Sequence, residues 1–243
     1  MRPISKTMID RGFLYEIFES IQGEGIYCGQ RQTFVRFAGC NLDCGYCDTP
    51  AAREEKPAIC LVGDVESIEN PVNVEQVVAK CLKYGHRSVA ITGGEPLVQA
   101  DYLASMLLTL KDAGFTNHLE TNGTLYRQLA GVMRWVDVVA MDMKLPSTNG
   151  RAFWDEHAKF LRVASGTNVF VKAVVSSTTT DEEITHCCDI ISPIDRHITL
   201  VIQPVTGPTT ASGEHLMRLQ DVAAAHLTDV RVIPQCHHIL GLK

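Results

Sequence analysis

The sequence offers no apolar run approaching the eighteen or so residues that a membrane-spanning helix needs. It has no surplus of positive charge either. Its 22 Lys and Arg against 28 Asp and Glu leave a net charge of −6, which speaks against non-specific nucleic-acid binding as the main activity. Internal repeats, a Pro/Ser-rich linker and charge blocks are all missing. Residues Met1 to Arg11 carry charge without an apolar centre, so no secretory signal is visible. The nine cysteines are an odd number, which does not suit an exported disulfide framework. These absences predict a cytoplasmic chain with neither a membrane nor a nucleic acid as direct partner. With 45% hydrophobic and 21% charged residues, disorder and low complexity are also excluded. A chain of 243 residues suffices for one large domain whose core needs no staples.

Short β-rich runs alternate with helical patterns. Strands are expected at Thr33–Phe37, Ser88–Thr92, Asn117–Glu120, Val136–Met141, Val169–Val175, Ile198–Gln203 and Val230–Pro234. Between them, Asn73 with Gln76 three residues on should open a helix that stops at Gly85. Further helices are expected over Asp101 to Ala113, Leu125 to Arg134, Phe153 to Val163, Asp181 to Ile191 and Ser212 to Leu227. Such alternation implies right-handed βαβ units and an α/β fold, either a doubly wound open sheet or a whole or partial β/α barrel. About six units is fewer than a full barrel requires. Residues 1–243 read as a single domain. Ala51–Pro71 breaks the rhythm as an insertion, a candidate lid, and Leu14–Ser20 reads as an extra edge strand.

In either architecture ligands gather at the C-terminal strand ends. There the sequence places Cys40 onward, Thr92-Gly93-Gly94-Glu95-Pro96, Glu120-Thr121-Asn122-Gly123, Asp142-Met143-Lys144 and Gln203-Pro204, with Lys172 inside a strand. The loop Cys40-Asn-Leu-Asp-Cys44-Gly-Tyr-Cys47 has C-x3-C-x2-C spacing. Three thiolates on so short a loop suit an iron–sulfur cluster, ordinarily held by four cysteines, with one iron left open. A structural zinc site, completed by Cys28 or Cys60, and a chance cluster of free thiols are the alternatives.

With Tyr46 ahead of its last cysteine, this loop resembles the signature of radical S-adenosylmethionine enzymes, and Thr92-Gly93-Gly94-Glu95-Pro96 resembles that superfamily's GGEP motif. Ser20-Ile21-Gln22-Gly23-Glu24-Gly25, Arg36-Phe37-Ala38-Gly39-Cys40-Asn41, Cys47-Asp48-Thr49, Glu120-Thr121-Asn122-Gly123, Gln203-Pro204 and Pro234-Gln235 with His237 together resemble the 7-carboxy-7-deazaguanine synthase family. The resemblance implies a partial (β/α)6-type TIM-like barrel. It implies a lyase that uses a [4Fe–4S] cluster, S-adenosylmethionine and Mg2+ to contract the ring of 6-carboxy-5,6,7,8-tetrahydropterin, with loss of ammonia. The product would be 7-carboxy-7-deazaguanine, a precursor of queuosine-type nucleosides in tRNA modification, and the cofactor would be regenerated.

The same resemblance implies roles. Cys40, Cys44 and Cys47 would hold the cluster and Thr49 the magnesium. Tyr46, Asp48, Gly94, Glu95, Asp142, Met143, Lys144, Gln203, Pro204, Val205 and Thr206 would meet S-adenosylmethionine. Ile21, Gln22, Gly23, Glu24, Arg36, Thr92, Glu120, His237 and Lys243 would meet the pterin, Arg36 through its carboxylate. A homodimer and a flavodoxin or ferredoxin electron donor are expected by the same likeness. The sequence departs from the family's Ser-Pro-Lys at Asp142-Met143-Lys144, a form that also resembles glycyl-radical-activating enzymes. Two alternatives therefore stand beside the synthase: such an activating enzyme, or a non-catalytic zinc-binding module. His118, His157 and the other scattered histidines show no metal-ligand spacing, and Cys187-Cys188 reads as helix packing.

Overall fold

The helix expected after Asn73 forms with its caps in place. Asn73 accepts the Gln76 N–H at 2.8 Å, the Gln76 side chain takes the Asn73 N–H at 3.1 Å, and Gly85 closes the helix at φ +76°. Thr180 and Glu183 form a second reciprocal box ahead of the Asp181–Ile191 helix. In this computed structural model residues 9–243 are described; the stretch read for a secretory signal lies outside them up to residue 8.

The strands are β1 (Arg11–Gly12), β2 (Leu14–Ile21), β3 (Arg31–Phe37), β4 (Ile59–Val62), β5 (Glu66–Glu69), β6 (Val72–Asn73), β7 (Ser88–Gly93), β8 (Thr116–Thr121), β9 (Val138–Asp142), β10 (Asn168–Val175), β11 (Leu200–Pro204) and β12 (Val230–Val232). The helices are α1 (Val74–Tyr84), α2 (Ala100–Asp112), α3 (Tyr126–Val132), α4 (Pro146–Asn149), α5 (Trp154–Ala164), α6 (Asp181–Ile191), α7 (Gly213–Ala224) and α8 (Cys236–Leu240). Strands β1 and β6 pair by themselves, and the other ten form one sheet in the order β12-β11-β10-β9-β8-β7-β3-β2-β4-β5. From β12 to β3 all neighbours are parallel. The two end strands, β12 and β5, do not meet, so the sheet is an unclosed, partial barrel. Among the described residues no helix is long and apolar enough to cross a membrane.

Successive strand residues point to opposite faces, and here the parity separates core from site. Val35, Phe37, Val89, Ile91, Leu119, Val139, Met141, Val171, Ala173, Leu200 and Ile202 join one core with residues of α1, α2, α5, α6 and α7. Each such side chain contributes roughly 1.5–3 kcal/mol by leaving water. The alternate positions carry Gln32 and Arg36 on β3, Thr92 on β7, His118 and Glu120 on β8, Asp142 on β9, Lys172 on β10 and Gln203 on β11, and all but Gln32 line one cavity.

Two expectations are corrected. Leu14–Ser20 is not an edge: β2 lies inside the sheet, antiparallel to β3 and parallel to β4. The reason lies in the 51–71 segment. Instead of a lid it supplies a short helical turn (Pro50–Arg53) and the β4–β5 hairpin, whose Leu61 and Val62 pair with Glu16 and Ile17 and whose Cys60 and Val62 are buried.

Candidate active site

The C-terminal ends of the parallel strands open into a cavity of about 530 Å³. The cysteine loop leaves β3 and is stitched by two backbone bonds to the end of β7 and by a third to the Pro50–Arg53 turn. Gly94 N–H donates to Phe37 at 3.1 Å, Glu95 N–H to Gly39 at 2.9 Å, and Gly39 N–H to Ala52 at 2.8 Å. Gly94 has to be glycine, because a Cβ there would run into the Gly39 carbonyl. Cys44 is almost buried; Cys40 and Cys47 are half-buried at the cavity wall. Burial raises the Cys40 and Cys44 thiols. Arg53 donates to the Asp43 carboxylate and the Cys44 carbonyl, and its contact with Cys47 raises the guanidinium further. Three converging thiols with a guanidinium beside them fit an anionic metal–sulfur group. Cys60 faces the core and Cys28 lies against Cys236, so neither candidate fourth zinc ligand joins the three.

The cavity floor is a buried charge network. Asp142 and Lys172 are register partners on β9 and β10, with Lys172 Nζ 3.4 Å from Asp142 and Lys144 Nζ 3.0 Å from the same carboxylate oxygen. Lys172 also donates to Glu24, which lies 148 residues away in the turn after β2. Glu24 accepts two more bonds, from Gln203 at 3.1 Å and Gln235 at 3.0 Å. Burial alone would raise the Glu24 carboxyl, but Lys172 and Gln235 bring it down to about 2. Burial likewise opposes charge on Lys144, yet Asp142 and Tyr46 hold it well above the ordinary lysine value. Lys144 stands 5.0 Å from the centre of the Tyr46 ring. Burial moves the Tyr46 hydroxyl up to about 12, so it stays neutral. Asp142 Oδ1, Gln203 Oε1 and Tyr46 OH are buried without a partner among the described residues, which suits a polar ligand rich in hydroxyl and amino groups.

The opposite side of the cavity is set by β2, β3 and β8. Gln22 donates to Glu120 at 2.7 Å. Arg36 donates through Nε to Glu16 at 2.9 Å and lies 5.6 Å from the Phe18 ring centre, with its guanidinium at the cavity wall. One nitrogen satisfies the buried ion pair, and the other two have no hydrogen-bond partner among the described residues, which leaves them for an anionic ligand. The chain end closes this corner: Ser20 donates to the Lys243 carbonyl at 3.2 Å, and Lys243 Nζ reaches Glu16 at 3.6 Å. His237 packs so tightly on Gly23 that a Cβ there would overlap its ring. Ligand atoms of Glu24, Asp48 and His237 come within 4.8 Å of one another, close enough to share a divalent cation.

A model of the radical SAM superfamily matches residues 34–189, from the middle of β3 to α6. The curated 7-carboxy-7-deazaguanine synthase of Geobacter sulfurreducens is 40% identical, across 94% of this chain and 96% of the relative. This chain belongs to the 7-carboxy-7-deazaguanine synthase family. The Archaeoglobus fulgidus synthase is 38% identical across 96% of this chain and all of the relative. The fold is shared with the crystal structure of QueE from Escherichia coli, at TM-score 0.65 and 21% identity over 93% of this chain and 95% of that one.

For this synthase-family chain the expected site residues divide by placement. Cys40, Cys44, Tyr46, Cys47, Asp48, Gly94, Asp142, Lys144, Gln203, Val205 and Thr206 line the cavity, as do Ile21, Gln22, Gly23, Glu24, Arg36, Thr92, Glu120, His237 and Lys243. Four do not. Met143 continues the core parity of Met141 and is fully buried, so only its backbone lies near the site. Glu95 is fully buried behind Gly94. Its carboxylate takes the Asn122 N–H at 2.7 Å and the Thr121 hydroxyl at 2.9 Å, and burial raises it to about 7. Pro204 faces a shallow neighbouring groove with Pro234 and Gln235. The Thr49 hydroxyl sits outside the cavity wall, donating to Asp48 at 3.1 Å. Sequence reading noted Lys172 and Gln235 without giving them a role and passed over Gln32 and Arg53. A lysine amid the apolar residues of a strand was the signal for the first, since a charge there requires partners. Gln32 and Arg53 carried no signal.

Proposed function

We propose that this chain is the radical SAM carbon–nitrogen lyase that converts 6-carboxy-5,6,7,8-tetrahydropterin to 7-carboxy-7-deazaguanine with loss of ammonia. The observation that carries it is the meeting of two walls across one cavity. A C-x3-C-x2-C thiol triad backed by Gly94 faces an Arg36–Gln22–Glu120 wall suited to a small carboxylated heterocycle. The glycyl-radical-activating reading and the zinc module are set aside, because the relatives found along the whole chain are synthases.

Cys40, Cys44 and Cys47 would hold the [4Fe–4S] cluster, which with bound S-adenosylmethionine would supply radical hydrogen-atom abstraction. The unpartnered oxygens of Asp142 and Gln203, with Lys144, Tyr46 and the Val205–Thr206 backbone, receive the adenosyl and methionine parts. On the other side the free guanidinium nitrogens of Arg36 hold the pterin carboxylate. Glu24 is committed to Lys172, Gln203 and Gln235, so reading of the pterin amino edge falls to Glu120. Lys243 and His237 close the pocket mouth. Mg2+ binds beside Asp48 and Thr49, close to His237. A homodimer, a flavodoxin or ferredoxin donor and a cytoplasmic location complete the reading; a reducing compartment suits nine cysteines of which none is in a disulfide.

The test is anaerobic reconstitution followed by incubation with S-adenosylmethionine, dithionite, Mg2+ and 6-carboxytetrahydropterin, read by mass spectrometry. The expected product is lighter than the substrate by one ammonia. Deoxyadenosine without that product points to another substrate, and undiminished turnover in metal-stripped buffer removes the magnesium.

A further inference from the structure

Beneath the cavity lies a chain of uncharged polar groups that the reading above does not use. Gln32 on β3, Ser88 on β7 and His118 on β8 are buried on the inner face, and Gln22 lies just above them. The direction of every hydrogen bond in the chain is fixed from its ends. The Glu24 backbone N–H can only donate, and it does so to Gln22 Oε1 at 3.1 Å. The Gln22 amide nitrogen therefore points the other way, donating to Gln32 Oε1 at 3.0 Å and to Glu120 Oε1 at 2.7 Å, and a carboxylate can only accept. With its oxygen engaged, Gln32 must turn its nitrogen toward Ser88 Oγ at 2.9 Å, Gln30 Oε1 at 3.2 Å and His118 Nδ1 at 3.3 Å. Nδ1 thus accepts, and the ring proton sits on Nε2. The His118 ring is held edge-on by Tyr27 at 5.0 Å and Phe170 at 6.1 Å, and burial favours its neutral form. At the far end Glu120 Oε2 has no hydrogen-bond donor among the described residues.

We propose that His118 and Gln32 are positioning residues. Their relay locks the Gln22 amide so that Glu120 presents its free oxygen to the amino edge of the pterin, selecting a 2-amino pterin over its 2-oxo counterpart. The inference rests on the substrate class proposed above. If Nδ1 is removed, Gln32 keeps Ser88 Oγ and Gln30 Oε1 as acceptors but loses one of the three groups that hold its amide, which can then rotate away from Gln22 and loosen the Gln22–Glu120 contact. A buried donor or acceptor left unpaired typically costs about 1–3 kcal/mol, or roughly 5- to 150-fold in an equilibrium constant.

The experiment measures the affinity of reconstituted enzyme for 6-carboxypterin and for 6-carboxylumazine, its 2-oxo analogue, by quenching of ligand fluorescence. Wild type is expected to favour the amino compound by about tenfold or more. His118→Asn, which keeps a side-chain oxygen near the Nδ1 position, should preserve that preference. His118→Leu should reduce it below about threefold with little change in 6-carboxylumazine affinity, and Gln32→Leu should do the same if His118→Leu does not fold. Unaltered preference in both leucine variants overturns the relay. Equal loss of both ligands in His118→Asn and His118→Leu overturns it too, as mere structural damage. Wild type that binds neither compound overturns the substrate class itself, and the selectivity with it.

Discussion

The cysteine loop and the charged floor face each other across one cavity and are built in opposite ways. The loop is local: its three thiols fall within eight residues, and its ion pair, Arg53 with Asp43, leaves Asp43 at 90% exposure. The floor is assembled from distant parts. Glu24, Asp142, Lys172, Gln203 and Gln235 come from the turn after β2, from β9, β10 and β11 and from the C-terminal segment, and the charges among them are at most one-fifth exposed. Loss of the loop's function should therefore leave the fold standing, whereas breaking the floor should cost the fold itself.

The largest effect expected is on the loop side. Cys47→Ser should lower bound iron from about four per chain toward zero and product formation by more than about a thousandfold. The apo variant should still melt within about 2 °C of apo wild type, as a substitution outside the core usually does. Iron analysis and a melting curve check both halves. A large drop in melting temperature would erase the contrast between the two regions.

On the floor, Lys172→Met removes the cation shared by Glu24 and Asp142. Asp142 keeps Lys144, but leaving the buried Glu24 carboxylate without its lysine should cost about 3–5 kcal/mol, read as a shift in denaturant midpoint at constant slope. Adding Glu24→Gln should recover part of that cost, because the two changes act on one network.

Acid sharpens the same comparison. The Glu24 carboxyl is held at about 2 against an ordinary 4.5, so its contribution is present above pH 4.5 and is lost as pH falls from 4.5 toward 2. Its size is on the order of 3 kcal/mol. Glu24→Gln should flatten the stability–pH profile in that window and, above it, lower the stability without changing the slope. The smallest effect belongs to the loop again: Arg53→Ala should change stability by less than about 1 kcal/mol, since exposed ion pairs contribute little.

This division also explains what could be read from the sequence. Cys40, Cys44 and Cys47 declare themselves by spacing, Asn73 by its capping partner, and the parallel sheet by its alternation with helices. Met143 misled because strand parity was not carried past β9. Leu14–Ser20 read as an edge because nothing in Ile59–Val62 announces which strand it will join. Lys172 was visible as a charge in an apolar strand, but its partner stands 148 residues away. His118 carried no ligand spacing because its neighbour is an amide on another strand, and only the sheet register brings the two together.

On the proposed function the two walls divide the labour, one generating the radical and the other holding the pterin. The ratio of deoxyadenosine to 7-carboxy-7-deazaguanine formed by Arg36→Met tests it most directly, with iron content as control. The account predicts full iron, continued deoxyadenosine formation and product reduced by about a hundredfold, so that the ratio rises steeply above wild type. An unchanged ratio with full iron, whether both products fall together or neither does, would contradict it.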